Sequence, residues 1–361
     1  MLFKGVNKSW QLARDRIRRN LGVLLFDHKV APVICPIADL QHVVFIRWDA
    51  KWGDAIVSSL MIAPLRKAYP DIKITIVTSA ALVDYFENYL NVDQVIVVQR
   101  KPTYRQLSAL AQKLKPVDLL IHFNMHMKMK DLYLLNKVRA RQVAGLDDDI
   151  GRVNLKLGKQ TQGLHFAQKL VYLLRCLGIE VENPEHHVPH NAEAMLKADD
   201  FLVNQANNPL LVINSFGGDK SRRLNNANTG KIISAILDMQ PTINIVVLST
   251  PVSENEVHKL CLNIAKSNVF YYPESSTIYD AIALVSKADW VVSVDTAIVH
   301  IAAGLNKPLL ALYNPDKLNY SDWHPNSGKA ISCFSENTSP PDINALAWQN
   351  LLPSLAELFK L

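Results

Sequence analysis

The spacing of apolar positions changes along the chain. In the first stretch Phe3, Val6, Trp10, Ala13, Ile17, Leu21 and Leu24 recur three or four residues apart, which predicts one face of a helix. From Val43 short runs rich in β-branched residues take over. Val43–Arg47, Ile72–Val77, Gln94–Val98 and Asp118–His122 read as buried strands. Helical spacing separates them at Ala55–Ala68, Ala80–Leu90 and Tyr104–Leu114. The same rhythm restarts at Leu210–Asn214. It continues through helix Thr229–Met239, strand Ile243–Leu248, helix Ser253–Lys266, strand Asn268–Tyr271, helix Thr277–Lys287, strand Trp290–Val294, a helix beginning near Thr296, and strand Pro308–Tyr313. Such alternation predicts an α/β protein built from two doubly wound, Rossmann-like domains, with ligands in the cleft outside the carboxyl ends of the strands.

The polar stretch from Asn183 to Pro209, with Pro184, Pro189 and Pro209, separates the two series. The expected organisation is an extension over 1–40, a first domain over 41–190, a second over 191–340, and a helical segment over 341–361. That last segment is expected to pack back towards the N-terminal domain, broken by Pro353 into two short helices. A chain of 361 residues accommodates two domains.

Composition adds limits. Hydrophobic residues make up 49% and charged residues 20%, an ordinary globular balance. No apolar run reaches the roughly 18 residues of a membrane-spanning helix. Leu21–Phe26 is cut short by Asp27 and Lys29, so a signal peptide is not expected and a cytoplasmic location is. Cys35, Cys176, Cys261 and Cys333 form no CxxC pair, which argues against a disulfide framework or a zinc site. Of the net charge of +6, +5 falls within residues 1–33. A basic amphipathic helix there lies on an anionic membrane surface or packs on the protein's own core.

Three stretches carry candidate chemistry. The first, Arg47-Trp48-Asp49-Ala50-Lys51-Trp52-Gly53-Asp54, follows the first strand. Gly53 permits a tight turn, and Asp54 is either a helix cap or a base facing a ligand. Arg47, Lys51 and Gly53 fall on the same turn. The second, Asn214-Ser215-Phe216-Gly217-Gly218-Asp219-Lys220-Ser221-Arg222-Arg223, joins paired glycines, a hydroxyl and three cations, a composition suited to phosphate or to a basic surface turn. It is neither a Walker A loop nor the dinucleotide G-x-G-x-x-G. The third, Asp295-Thr296-Ala297-Ile298-Val299-His300, opens a helix whose first-turn N–H groups are available to an anion. Taken alone, Asp295 reads as a cap and His300 as a core histidine.

Together these stretches resemble glycosyltransferase family 9, the lipopolysaccharide heptosyltransferases. The resemblance lies in Arg47 and Gly53-Asp54, in Ala63-Pro64-Leu65-Arg66-Lys67-Ala68-Tyr69-Pro70, in Arg222-Arg223, and in Asp295-Thr296-Ala297-Ile298-Val299-His300 followed by Ala302-Ala303-Gly304-Leu305-Asn306-Lys307-Pro308. It spans about residues 43–335. It implies a GT-B fold, transfer of a heptose from ADP-heptose to a lipid-linked lipopolysaccharide-core saccharide with inversion, and no cofactor or metal. By position Asp54 would be the general base. Ser215, Gly217, Lys220, Arg222, Arg223, Asp295, Thr296, Ala297 and His300 would bind the donor, and Arg47, Lys51 and Gly53 would lie on the acceptor side. The chain departs from the family where Ala297 replaces a glycine, where Leu224 replaces an aromatic residue, where Thr250-Pro251 replaces a glycine-rich turn, and where Trp48 and Trp52 replace small residues. The alternatives are the same fold with another nucleotide sugar, and a donor-binding protein without catalysis.

Other clusters carry less. Asp147-Asp148-Asp149 reads as a solvated turn rather than a divalent-cation pair. His186-His187-x-x-His190 and the pair His122 and His126 lack the setting of a zinc enzyme. No G-x-S-x-G elbow occurs, and the terminal placement of positive charge argues against nucleic acid.

Overall fold

The computed structural model describes residues 2–361 apart from Ala38, Asp49, Ala50, Asn183, Asn204, Ala206 and Asn207; for 2–9, 11 and 12 the backbone alone is described. The expectations resting on the side chains of Phe3 and Val6, and on Asp49 and Ala50, therefore fall outside the described residues. The chain divides into two compact units. The first is Met1–Ala50 with Ser58–Pro184, and the second is Lys51–Val57 with Glu185–Leu361.

The first unit begins with helix α1 (Leu2–Phe26) and strand β1 (His42–Arg47). Next in the chain, helix α2 (Trp52–Ser58), whose residues up to Val57 belong to the second unit, runs through a 3-10 turn, Ser59–Met61, into α3 (Ile62–Ala68), so the expected single helix is interrupted by a 3-10 turn. Then come β2 (Lys73–Thr78), β3 (Gln94–Val97), α4 (Tyr104–Leu114), β4 (Leu119–His122), α5 (Met129–Val138), β5 (Gln142–Gly145), β6 (Leu155–Lys156) and α6 (Phe166–Cys176). The expected helix over Ala80–Leu90 is helical through Tyr89, but as a 3-10 turn, Ala80–Leu82, followed through Val83 and Asp84 by a π turn, Tyr85–Tyr89.

The second unit holds α7 (Ala192–Val203), β7 (Leu210–Asn214), α8 (Asn226–Met239), β8 (Asn244–Val247), α9 (Glu254–Ile264), β9 (Val269–Tyr271), α10 (Ile278–Lys287), β10 (Trp290–Val294), α11 (Ala297–Gly304), β11 (Leu309–Tyr313), α12 (Lys317–Trp323), β12 (Ala330–Phe334) and α13 (Trp348–Leu358). Each sheet has six parallel strands. Their orders are β3-β2-β1-β4-β5-β6 and β9-β8-β7-β10-β11-β12, the same doubly wound pattern used twice. Each sheet reverses its winding direction beside its first strand, between β1 and β4 and between β7 and β10. At that reversal the neighbouring crossovers leave on opposite faces and open a crevice at the carboxyl ends.

The strands are apolar because both faces of each sheet are covered. β1, β4, β7, β8 and β11 are buried along their full lengths. Helix α13 belongs to the second unit. Leu351, Leu355 and Leu358 enter the core formed by β7, β8, β10 and β11, where the sequence led us to expect packing towards the N-terminal domain. Pro353 does not break it. The proline lies on the exposed side, and the buried leucine stripe holds the helix together across it.

Candidate functional site

In the second unit the winding reverses between β7 and β10, and the two strands deliver Asn214 and Asp295 to adjacent carboxyl ends. Asn214 Nδ2 donates to Ser293 Oγ at 3.1 Å and to Thr296 Oγ1 at 2.9 Å, which ties the two loops together. Thr296 also caps α11, its hydroxyl accepting from the Ile298 N–H at 3.3 Å. Beside this junction lies a cavity of about 340 Å³. Asn214, Ser249, Thr250, Ser275, Thr277 and Thr296 give it polar groups; Phe216, Pro251 and Ile278 give it apolar ones. No charged side chain lines it among the described residues.

The glycine-bearing loop after β7 is closed on itself. The Leu224 N–H donates to the Ser215 carbonyl at 3.0 Å, and a side chain on Gly217 would run into the Arg222 carbonyl. Ser215 is buried, and its hydroxyl accepts from Thr229 Oγ1 at 3.1 Å. This bond and that of its carbonyl to Leu224 hold the loop to α8 and close it. Arg222 bridges two carboxylates: Nη1 meets Asp295 Oδ2 at 3.1 Å and Nη2 meets Asp219 Oδ2 at 3.0 Å. Burial works to lower its pKa, but Asp295 and then Asp219 hold it above the ordinary value. Asp295 is buried and also accepts from Asn319 Nδ2 at 2.8 Å, so it anchors α12 as well. Arg223 turns away to pair with Glu256, and its guanidinium lies 4.8 Å from the centre of the Phe216 ring. Lys220 is exposed and makes no side-chain ion pair among the described residues.

The segment Lys51–Val57 joins this unit, which the order of the chain alone does not reveal. Gly53 is not there for its dihedral freedom. A Cβ on it would lie 2.7 Å from His300 Cδ2 and 3.3 Å from Ala297 Cα, so it is the point where α2 touches α11. Trp52 stacks edge-on to Tyr279 of α10, with ring centres 5.6 Å apart. Asp54, in the first turn of α2, is mostly buried and has Lys51 Nζ 3.9 Å from its carboxylate. His300 is buried, packs edge-on to Trp323, and has no hydrogen-bond partner on Nδ1 among the described residues. Burial pushes its pKa down to about 3, helped by His186 and His324. The sequence thus places Asp54, Gly53, Ala297, Thr296 and His300 in one unit. Arg47 ends β1 in the first unit, buried, with its guanidinium 5.6 Å from the centre of the Phe166 ring.

The weaker clusters have structural roles. Asp147 accepts from Arg19 Nη2 at 2.9 Å and from the Met127 N–H at 2.7 Å, while Asp148 accepts from the N–H groups of Gly158 and Lys159. His122 Nε2 pairs with Asp131 at 3.0 Å, and His126 is exposed. Among the described residues no three His, Cys, Asp or Glu side chains are grouped to hold a metal ion. Residues that composition did not mark are Asn214, Asn319, Ser249 and Ser275. Only the position of Asn214 at a strand's carboxyl end signals it.

Comparison with known proteins agrees with this arrangement. Over 355 residues the chain is 24% identical to a protein of Escherichia coli (strain K12) named provisionally lipopolysaccharide heptosyltransferase 4, covering 95% of each. It superposes on the crystal structure of a family 9 glycosyl transferase from Veillonella parvula DSM 2008 with a TM-score of 0.73, 18% identity, and 91% of this chain on 99% of that one. It superposes on E. coli ADP-heptose lps heptosyltransferase II with a TM-score of 0.65, 15% identity, and 89% of this chain on 99% of that one. These two likenesses show the fold, GT-B with its two Rossmann-like halves. The family model described as glycosyltransferase family 9 (heptosyltransferase) matches residues 107–346, about two thirds of the chain, and on that match the chain belongs to glycosyltransferase family 9.

Proposed function

We propose that this glycosyltransferase moves a heptose from ADP-heptose to a lipid-linked lipopolysaccharide-core saccharide, with inversion and with Asp54 as general base. The uncharged cavity at the ends of β7, β8 and β10 takes the nucleoside. Its hydroxyl and amide groups match ribose and base edges, and Phe216, Pro251 and Ile278 match the faces of the base. The diphosphate meets the start of α11, where Thr296 and the helix dipole face negative charge. Lys220 is the loop's available cation, and Arg222 holds the loop through Asp295 and Asp219.

In the reaction the acceptor hydroxyl oxygen bonds to the anomeric carbon as the carbon–oxygen bond to the diphosphate breaks. The electron pair leaves with the diphosphate, and Asp54 takes the hydroxyl proton. Charge growing on the leaving group is stabilised by the helix start and the cation. The observation that carries this reading is the contact of Gly53 with Ala297 and His300, which fixes α2, and Asp54 one residue on, against the helix proposed to hold the donor phosphates. ADP-heptose as donor and lipopolysaccharide as acceptor are those that the similar E. coli ADP-heptose lps heptosyltransferase II is named for.

The test is Asp54→Asn. A saturating donor stabilises only the native state that binds it, about 2.7 kcal/mol at a hundredfold excess over Kd. Asp54→Asn should keep that thermal shift with ADP-heptose and lose roughly 10²–10⁴ in turnover. Near-normal turnover overturns the base assignment. Stabilisation of the wild type by UDP-sugars but not ADP-sugars overturns the donor.

A further inference from the structure

Helix α1 presents two different faces. Its last turns are bound to the first unit. Arg19 pairs with buried Asp147, a side chain on Gly22 would lie 2.9 Å from Met129 Cα, and Phe26 packs edge-on to Tyr133 of α5. Asp27 then accepts from the N–H groups of Gly151 and Arg152, fixing the end of the helix. At about 100° per residue, Arg19, Gly22, Val23 and Phe26 form one stripe. Trp10, Ala13, Ile17, Leu21 and Leu24 centre on the opposite side at the same pitch, within about 60° of one line. The apolar periodicity visible in the sequence is therefore not the packed face.

The outward face is open. Trp10 is 74% exposed, Ile17 60% and Leu24 79%, and every residue from Ala13 to Arg18 is exposed. Arg14 and Arg18 border the apolar stripe along one edge, and Arg16 lies beyond the other. The one acid in this stretch, Asp15, falls towards the packed side. Single exposed apolar residues are ordinary, but five in line on a helix anchored by its last turns, edged by arginines, are not. An apolar stripe with flanking cations complements a surface that is apolar below and anionic above.

We propose that this face of α1 docks the protein on an anionic phospholipid surface, with Trp10, Ile17, Leu21 and Leu24 entering the headgroup boundary and Arg14, Arg16 and Arg18 meeting lipid phosphates. The proposal does not depend on the donor or on Asp54. It rests on which side of α1 is packed and which is bare.

The test is co-sedimentation of the full chain with vesicles of phosphatidylglycerol mixed with phosphatidylcholine, and with vesicles of phosphatidylcholine alone. The expected result is binding to the mixed vesicles that weakens as salt rises. Trp10→Ser with Ile17→Ser and Leu24→Ser should lower that binding more than about tenfold. Arg14→Glu with Arg18→Glu should lower it at least about fivefold per arginine. Far-ultraviolet circular dichroism and donor-induced thermal stabilisation should be unchanged in both variants, because none of these side chains is packed. Equal binding to neutral vesicles, or no binding to the anionic ones, overturns the proposal. So does a wild-type dimer in sedimentation velocity that the serine variant converts to monomer, since a second copy would then be the occupant.

Discussion

Replacing Gly53 by alanine tests whether the contact between α2 and α11 sets the candidate site. The new Cβ would fall 2.7 Å from His300 Cδ2, against an ordinary closest approach of about 3.4 Å, so one partner must give by about 0.7 Å. The imidazole has little room to move, because His300 is buried and its ring packs against Trp323. The other neighbour, Ala297 Cα, is backbone at 3.3 Å. Overpacking of this kind costs about 1–3 kcal/mol. That is a fall in unfolding midpoint of roughly 2–10 °C for a unit of this size. If the strain instead moves α2, Asp54 moves with it, and misplacement approaching 1 Å costs up to about 10²-fold in rate. The expected outcome is therefore a modest loss of stability with a loss of kcat/KM of about 10- to 100-fold. Urea unfolding and steady-state kinetics on Gly53→Ala, His300→Ala and the double variant form the cycle. His300→Ala opens the space that the new methyl needs, so the double variant should be less destabilised than the sum of the singles by about 0.5–2 kcal/mol. Additive costs with full activity in Gly53→Ala would refute the argument.

Two further outcomes follow from the same unit. Burial holds His300 neutral, with its pKa down at about 3, and holds His186 at about 4. An unfolded histidine protonates near pH 6.5, so the unfolded chain takes up protons first as pH falls. Stability from these residues is complete above about pH 6.5 and is lost towards pH 4, at up to about 1.4 kcal/mol per pH unit per histidine. His300→Gln should flatten that slope in urea unfolding at pH 7, 6 and 5; an unchanged slope would mean the ring does not titrate as described. Thr296→Val removes the cap of α11 and the hydroxyl that accepts from Asn214. It should cost about 1 kcal/mol of stability and weaken ADP-heptose binding in calorimetry. Unaltered affinity would place the diphosphate elsewhere.

Much of the architecture was legible because local and global signals agree where the sheet is deepest. Leu210–Asn214 and Trp290–Val294 are strands over those residues, since strands covered on both faces read as nearly continuous apolar runs. Tyr104–Leu114 is bounded by a capping box of Thr103 and Gln106, which fixes its first residue. What went unread has physical reasons. Helix α7 lies between Pro189 and Pro209 and buries only Ala194 and Ala198 by full coverage, so its composition looks like a linker. Strands β5 and β6 are short, and Lys156 alternates out to solvent. The packed face of α1 was not legible because Gly22 and Arg19 share the packing with Val23 and Phe26, and neither reads as apolar.

The candidate site was less legible than the fold because its charges are spent internally. By composition the loop after β7 offers three cations to phosphate. In the structure Arg222 is neutralised by Asp219 and Asp295, and Arg223 pairs with Glu256. An arginine held by two carboxylates gains little from a third anion, since the first pairings already supply most of the favourable field. Its contacts are geometric: it fixes the loop to Asp295, which also holds Asn319. Under the proposed function, the donor's negative charge is then left to Lys220 and the N-terminus of α11. A helix start whose dipole and amides are already oriented needs no reorganisation as charge develops, which is the property that stabilises a departing diphosphate. Of the residues that the motifs mark, Ser215, Arg222 and Asp295 have their polar side chains bound to other parts of the chain, Thr296 and Ala297 line the cavity, and Lys220 is exposed. Spacing along the sequence cannot separate them, because they are adjacent in the chain and only their surroundings differ.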